Sequence, residues 1–234
     1  SLLTSQNKNW WVNSGGYMKT ENGRASTIKG SLESIDPWRI IYSLNNPTDT
    51  DAGYHPQNIF RLISGKKWSN ARHEVYFIVK KDNLSSSPNR NQSNGLLLFD
   101  RYQDSNNLYY TGVRVDGSAI IKKKKNGVYY TLAEIKGLYS GTYDKNSSPN
   151  LIPKNKWLGI RSETINTSNG VVEIRLYIDK EWKGEWELIA KIVDDGKKYG
   201  GSALTTEGYT GIRTDFMDVE FENFRSREID RFTF

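Results

Sequence analysis

LYYTGVRVDGSAIIKKKKNGVYYTLAE, residues 108–134, decides how the rest of the chain is read. β-Branched and aromatic residues dominate it, and two turn dipeptides, Asp116-Gly117 and Asn126-Gly127, split it into three short runs. Both dipeptides favour two-residue type I′ turns, because both central residues of such a turn need positive φ. Two of them in succession predict a three-stranded antiparallel meander with a fixed register. In that register Tyr110 faces Lys123, Lys123 faces Tyr130, and Arg114 faces Ala119. Directly opposed residues point to the same side. One face therefore carries Tyr110, Lys123 and Tyr130 in a row, with Arg114 close by. The other carries Tyr109, Thr111, Lys122, Lys124, Tyr129 and Thr131.

The same grammar extends outward. Residues 59–64, 71–80, 95–102, 108–115, 118–124, 128–135, 157–164, 171–179, 186–193, 208–213 and 217–224 are short runs bounded by Gly, Asn, Asp or Pro. They read as strands. Residues 83–94 and 139–156, rich in Ser, Asn and Pro, read as long surface loops. One helical turn is expected near 199–206, and residues 1–58 form an irregular segment packed on the strands. This many strands without helices predicts a single all-β domain over 1–234, a β-sandwich jelly roll of two packed antiparallel sheets.

Alternation assigns faces. Val172, Ile174, Leu176 and Ile178 alternate with Glu173, Arg175, Tyr177 and Asp179. His73, Val75, Phe77 and Val79 share a core-like face, opposite Arg72, Glu74 and Tyr76, while Leu158 and Ile160 look inward, opposite Arg161 and Glu163. A strict period of two means one face in the core and one in water. The wet faces gather arginine, carboxylate and tyrosine, which suits either a glycan-binding sheet or a solvated face of charge pairs. The lysine run 122–125 reads in two ways as well: an edge strand guarded against aggregation, or a cationic, tyrosine-lined groove. In such a groove neighbouring charges lower each lysine's pKa and fit one of them to act as a general base.

Lys and Arg number 33 against 27 acids, a formal charge of +6. That balance points to a polyanionic partner, or serves only solubility. There are no cysteines, so disulfides and thiol chemistry are excluded. No apolar run approaches the ~18 residues of a membrane span, so no membrane partner is expected. Ser1 is not a native start. A leader removed before it would make the protein secreted or extracellular. No His/Cys cluster for zinc, no phosphate loop, no dinucleotide motif and no nucleophile elbow is present.

Four stretches carry a family resemblance: GLLLFDRY at 95–102, YYTGVRVDG at 109–117, NGVYYTLA at 126–133 and GYTGIRTDFMDVEFENF at 208–224. Over residues 59–224 the pattern resembles the concanavalin A-like lectin/glucanase superfamily, and within it the alginate-lyase-like polysaccharide lyases. The Gln-x-His and Tyr-Phe-Lys-Ala-Gly-x-Tyr-Asn-Gln strands of the best-known alginate lyases are absent. The resemblance implies β-elimination on a uronic-acid polymer. That needs a group to neutralise the carboxylate, a base for the C5 proton and an acid for the leaving oxygen.

From the residues themselves, the catalytic candidates are Lys123 as base, Tyr110 or Tyr130 as acid, and Arg114 as carboxylate clamp. Arg72, Tyr76, Arg161, Arg175, Tyr177 and Lys122 are candidate substrate contacts, since arginine's planar fork fits carboxylates. His73 is an alternative base that alternation points into the core, and His55 lies in a loop. A non-catalytic carbohydrate-binding module for acidic glycans is the alternative function. Hydrolysis would draw on Asp218, Glu220 and Glu222, which share a face of the last run. Nucleic acid is not expected as a partner, because Glu74, Glu163 and Glu173 sit among the arginines. No cofactor is expected. The resemblance allows a structural calcium, with Glu33, Asp36 and Asp218 as oxygen donors. A monomer is expected.

Overall fold

The computed structural model describes residues 7–168 and 170–230; both ends of the expected 1–234 domain, Ser1 included, lie outside the described residues. In chain order the elements are β1 (Trp10–Ser14), β2 (Lys19–Glu21), β3 (Arg24–Ser26), α1 (Pro37–Asn45), β4 (Ile59–Trp68), β5 (Ala71–Asp82), β6 (Gly95–Asp104), β7 (Asn107–Arg114) and β8 (Ala119–Lys125). There follow β9 (Val128–Ile135), β10 (Trp157–Ser168), β11 (Val171–Lys180), β12 (Glu187–Asp194), β13 (Gly208–Asp215) and β14 (Met217–Glu228). Two antiparallel sheets pack face to face as a jelly-roll sandwich. The first runs β1-β4-β13-β6-β7-β8-β9 and the second β12-β11-β10-β5-β14-β3-β2.

The inward alternation holds: Val172, Ile174, Leu176, Ile178, Val75, Phe77, Val79, Leu158 and Ile160 are all buried between the sheets. Rings of this size set the scale of the core, where a Phe→Ala truncation costs about 3–5 kcal/mol. All eleven expected runs become strands. Residues 199–206 do not form the expected helical turn. The segment before residue 59 is more regular than expected, holding β1 to β3 and α1. Asp36 starts α1: its carboxylate accepts from the Trp38 amide at 2.8 Å, and Pro37 follows as the first helical residue.

The meander forms, with one hairpin out of the expected register. At Asn126-Gly127 both residues are left-handed (φ +50° and +83°), and Lys125 pairs with Val128, Lys124 with Tyr129 and Lys123 with Tyr130. At Asp116-Gly117 only Gly117 is left-handed (φ +78°). The Gly117 amide donates to Arg114 O at 3.0 Å and the Arg114 amide to Ser118 O at 2.8 Å. That is a three-residue loop, a type I turn closed by a glycine bulge. Tyr109 therefore pairs with Lys123, and Tyr110 with Lys122. A slip of one residue exchanges faces. Tyr110 does not share a face with Lys123 and Tyr130, contrary to the expected row. Nor is β8 an edge strand, since it lies between β7 and β9; guarding an edge does not explain its lysines.

Candidate ligand-binding cleft

On the outward face of the first sheet, register sets side chains in rows across the strands. Arg61 on β4 pairs with Arg213 on β13, and Arg213 with Leu97 on β6. Leu97 pairs with Gly112 on β7, and Gly112 with Ile120 on β8. The next row runs Phe99, Tyr110, Lys122, Thr131. Asp49, Asn89, Asn91 and Asn94 form a wall, and the whole encloses a cleft of about 450 Å³. Its floor continues into an apolar cluster outside the inter-sheet core, made of Ile63, Phe99, Tyr102, Leu108 and Tyr110. Tyr110 stacks with Tyr129 at 5.9 Å between ring centroids.

Four cations and two carboxylates line this cleft. Both carboxylates are engaged: Asp215 by Arg213 at 2.8 Å, and Asp49 by Ser87 Oγ at 2.6 Å and Asn89 Nδ2 at 3.0 Å. Arg114 is paired with Asp116 at 2.9 Å and Glu134 at 3.0 Å. Arg61 and Lys122 have no carboxylate partner among the described residues, and Arg61 Nε is buried without a hydrogen-bond partner. Arg61 also lies directly across from Arg213, and like charges so placed repel. Burial and then the neighbouring Arg114 lower the pKa of Lys122. Burial holds the Tyr110 hydroxyl well above the usual phenol range, against the pull of Arg213. For Tyr129 burial opposes ionisation, but the hydrogen bond from Tyr110, Arg213 and Lys124 together outweigh it, and its pKa is lowered. The cleft can thus receive an anion at Arg61 and Lys122, with the half-exposed Tyr129 ring beside it and Tyr110 packed beneath.

The expected site residues divide between three places. Tyr110, Arg114 and Lys122 meet in the cleft. Lys123 and Tyr130 point the other way. The Lys123 side chain is fully buried, with Nζ 2.8 Å from Asp194 Oδ2 and donating to Gly201 O at 2.9 Å. The Tyr109 hydroxyl donates to the same carboxylate at 2.7 Å. Lys123 therefore has no route to a ligand in the cleft. Arg72, Tyr76, Arg161, Arg175 and Tyr177 lie on the outward face of the second sheet. There Arg72 Nε donates to Glu163 at 2.6 Å, Arg161 to Glu74 at 2.7 Å and Arg175 to Glu173 at 2.7 Å. The Tyr177 hydroxyl donates to Glu163 at 3.1 Å and that of Tyr76 to Asp179 at 2.6 Å. This is the charge-paired face, its guanidinium groups already held by carboxylates.

His73 is buried, as its phase implied, 2.9 Å from Ser226 Oγ, and burial pushes its pKa down to about 3. His55 lies between Asp51 and Ser31 at 2.7 and 2.9 Å. Asp218 accepts from Gln57, Asn83 and the Gly30 amide, Glu220 pairs with Arg24 and Lys29, and Glu222 pairs with Arg24. All three carboxylates are thus engaged by neighbouring donors or cations. With Asp36 capping α1 and Glu33 exposed, the expected calcium donors do not converge. No cluster of three or more metal-ligating side chains occurs among the described residues, and no helix there is long and apolar enough to cross a membrane.

The sequence reading missed Arg61 and Arg213. Each is a lone arginine between buried neighbours in a central strand: Phe60 and Leu62 for one, Ile212 and Thr214 for the other. A charge alternating with core residues was the available signal.

No protein-family model matches the sequence, and no curated protein matches it. Among solved structures, the chain is similar to the carbohydrate-binding module CBM66 from Bacillus subtilis, with 15% identity and a TM-score of 0.56, over 94% of this chain and 96% of that one. It is also similar to the GH43 protein BlXynB from Bacillus licheniformis, with 11% identity and a TM-score of 0.53. That match takes in 97% of this chain but only 38% of the larger protein. At such identities the likeness is one of fold.

Proposed function

We propose that the protein is a carbohydrate-binding module that holds an acidic, uronic-acid-containing glycan in the cleft of the first sheet. One observation carries this reading: among the described residues Arg61 and Lys122 stand without carboxylate partners beside Tyr110 and Tyr129 in one cleft. Arginine receives a sugar carboxylate bidentately, and the phenol rings take the apolar face of the same residue. The likeness over nearly its whole length to a carbohydrate-binding module supports the binding function. Its place is outside the cell, where such polymers lie. Affinity electrophoresis through gels containing alginate, polygalacturonate or glucuronan tests the proposal. The wild type should be retarded in at least one, and Arg61→Ala with Lys122→Ala should run freely. Unretarded migration of the wild type in all three overturns it.

One observation favours a second reading, β-elimination in the same cleft. Tyr129 has a lowered pKa and shares a hydrogen bond with Tyr110. Ionised Tyr129 would take the C5 proton and Tyr110 would protonate O4. The C4–O4 bond then breaks as C4=C5 forms, while Arg61 holds the carboxylate. Ultraviolet absorbance of the new double bond should rise with the wild type and stay flat with Tyr129→Phe. A flat wild-type trace on a polymer that retards the protein leaves binding alone.

A further inference from the structure

The second sheet carries an aromatic assembly that the acidic-glycan cleft does not use. It begins at the turn between β11 and β12, where Glu181 (φ +66°) and Trp182 (φ +57°) are both left-handed. A bulky residue rarely adopts that conformation. The strain is held by Asp179, whose carboxylate accepts from the Lys183 amide at 3.0 Å, the Gly184 amide at 2.7 Å and the Tyr76 hydroxyl at 2.6 Å. So held, the Trp182 indole stacks on Tyr76 with centroids 4.3 Å apart and planes 6° from parallel. Trp157 meets Trp182 edge-on at 4.9 Å, and Trp186 lies 5.4 Å from Tyr76. Arg161, itself held by Glu74, covers one face of Trp186 at 3.9 Å and fixes its orientation. Gly159 makes the room: a Cβ there would lie 2.7 Å from Tyr76 Cε1 and 2.9 Å from Trp186 Cη2.

Three indoles are thus gathered on an outward face, none of them fully buried. Beside them the β11–β12 turn and Trp186 bound a second cleft of about 360 Å³. Its charge differs from that of the first. Lys180 and Lys183 stand against Asp179, Glu185 and Glu187. Three carboxylates disfavour a polyanion. Mixed donors and acceptors beside an indole suit a ring with apolar C–H faces and many hydroxyls. We infer that this cleft is a second binding site, taking a neutral oligosaccharide on the side of the sandwich opposite the acidic-glycan cleft. The inference does not rest on the reading of the first sheet.

Isothermal titration and tryptophan fluorescence with cellohexaose, xylohexaose and mannohexaose test it. At least one should bind at a single site with millimolar affinity or better. Trp186→Ala should weaken that binding at least about tenfold, the loss expected when one aromatic contact goes, while Arg61→Ala leaves it unchanged. Trp182→Gly removes the indole and relieves the left-handed strain together. Because that indole also packs on Tyr76 beside Trp186, the substitution should weaken binding as well, with the melting temperature lowered by no more than a few degrees as the relieved strain offsets part of the lost stacking. No response to any of the three sugars up to about 10 mM, an affinity too weak to count as a site, overturns the inference. So does binding that survives both tryptophan substitutions.

Discussion

Lys123 has no exposed side-chain surface and lies against an equally buried Asp194. Removing one partner of such a pair strands the other's charge, which costs about 3–5 kcal/mol. Lys123→Met should therefore lower the unfolding free energy obtained from urea melts by that amount, and adding Asp194→Leu should recover part of the loss in a double-mutant cycle. A lysine serving only a surface groove would show neither effect. A second buried pair predicts an unusual acid response. His73 Nε2 lies 3.8 Å from Asp100 Oδ1, an oxygen with no hydrogen-bond partner. Burial pushes His73 down to about 3 and Asp100 up to about 6. His73 contributes stability that is present above its unfolded pKa of ~6.5 and lost as pH falls toward its folded value. Asp100 contributes stability that is present below ~3.9 and lost as pH rises through its folded value. The two oppose each other between about pH 4 and 6, so wild-type melting temperature should change little across that window. Asp100→Asn should melt progressively lower as pH falls across the same window, because only the histidine loss remains. His73→Gln should melt progressively higher. Parallel curves for all three proteins would refute the assignment.

At the scale of elements, the two hairpin glycines should respond differently to alanine. Both are left-handed, and that conformation costs a non-glycine residue about 1–2 kcal/mol. At Gly127 an added Cβ meets only the Asn106 side chain, at 3.5 Å or more, whereas at Gly117 it would lie 2.3 Å from the Tyr139 carbonyl oxygen. Gly127→Ala should show the conformational cost alone in urea melts, and Gly117→Ala distinctly more. The same two turns show how far this fold was legible. Period-two alternation located the strands from β4 onward, because each has one face in the core. It could not distinguish a two-residue Asp-Gly turn from a three-residue loop ending in Gly, and that difference alone moved Tyr110 into the cleft and Lys123 out of it. The elements β1, β2 and β3 are too short and too exposed to show alternation. The start of α1 is readable in Asp36-Pro37, an N-cap and a first-turn proline, but the loops around it show no periodicity to set it off. In the cleft, Arg114 and Lys122 were legible because they border the hairpin. Arg61 was not, because its neighbourhood is made by β13 from the far end of the chain.

Across the whole molecule the two sheets present different outward chemistry, one cleft with cations that lack carboxylate partners among the described residues and one where three carboxylates outnumber two lysines. Retention in acidic-polymer gels should fall steeply between about 0.05 and 0.5 M salt as exposed charges are screened. Binding of a neutral hexasaccharide should hardly change over the same range, and equal salt dependence of the two would contradict the division. The sheet order carries a further consequence. In the first sheet β13 lies between β4 and β6, and in the second β14 lies between β5 and β3. The two strands of the sandwich that come last in chain order among the described residues are therefore interior, one in each sheet. Until they arrive, β4, β6, β5 and β3 each expose an unpaired backbone edge. During translation the nascent chain carries four sticky borders with no partner of its own to cover them, and it closes only after residue 228 has left the ribosome. Chaperone demand and losses to aggregation should thus be set by how fast β13 and β14 follow the strands they pair with, and not by the stability of the finished sandwich.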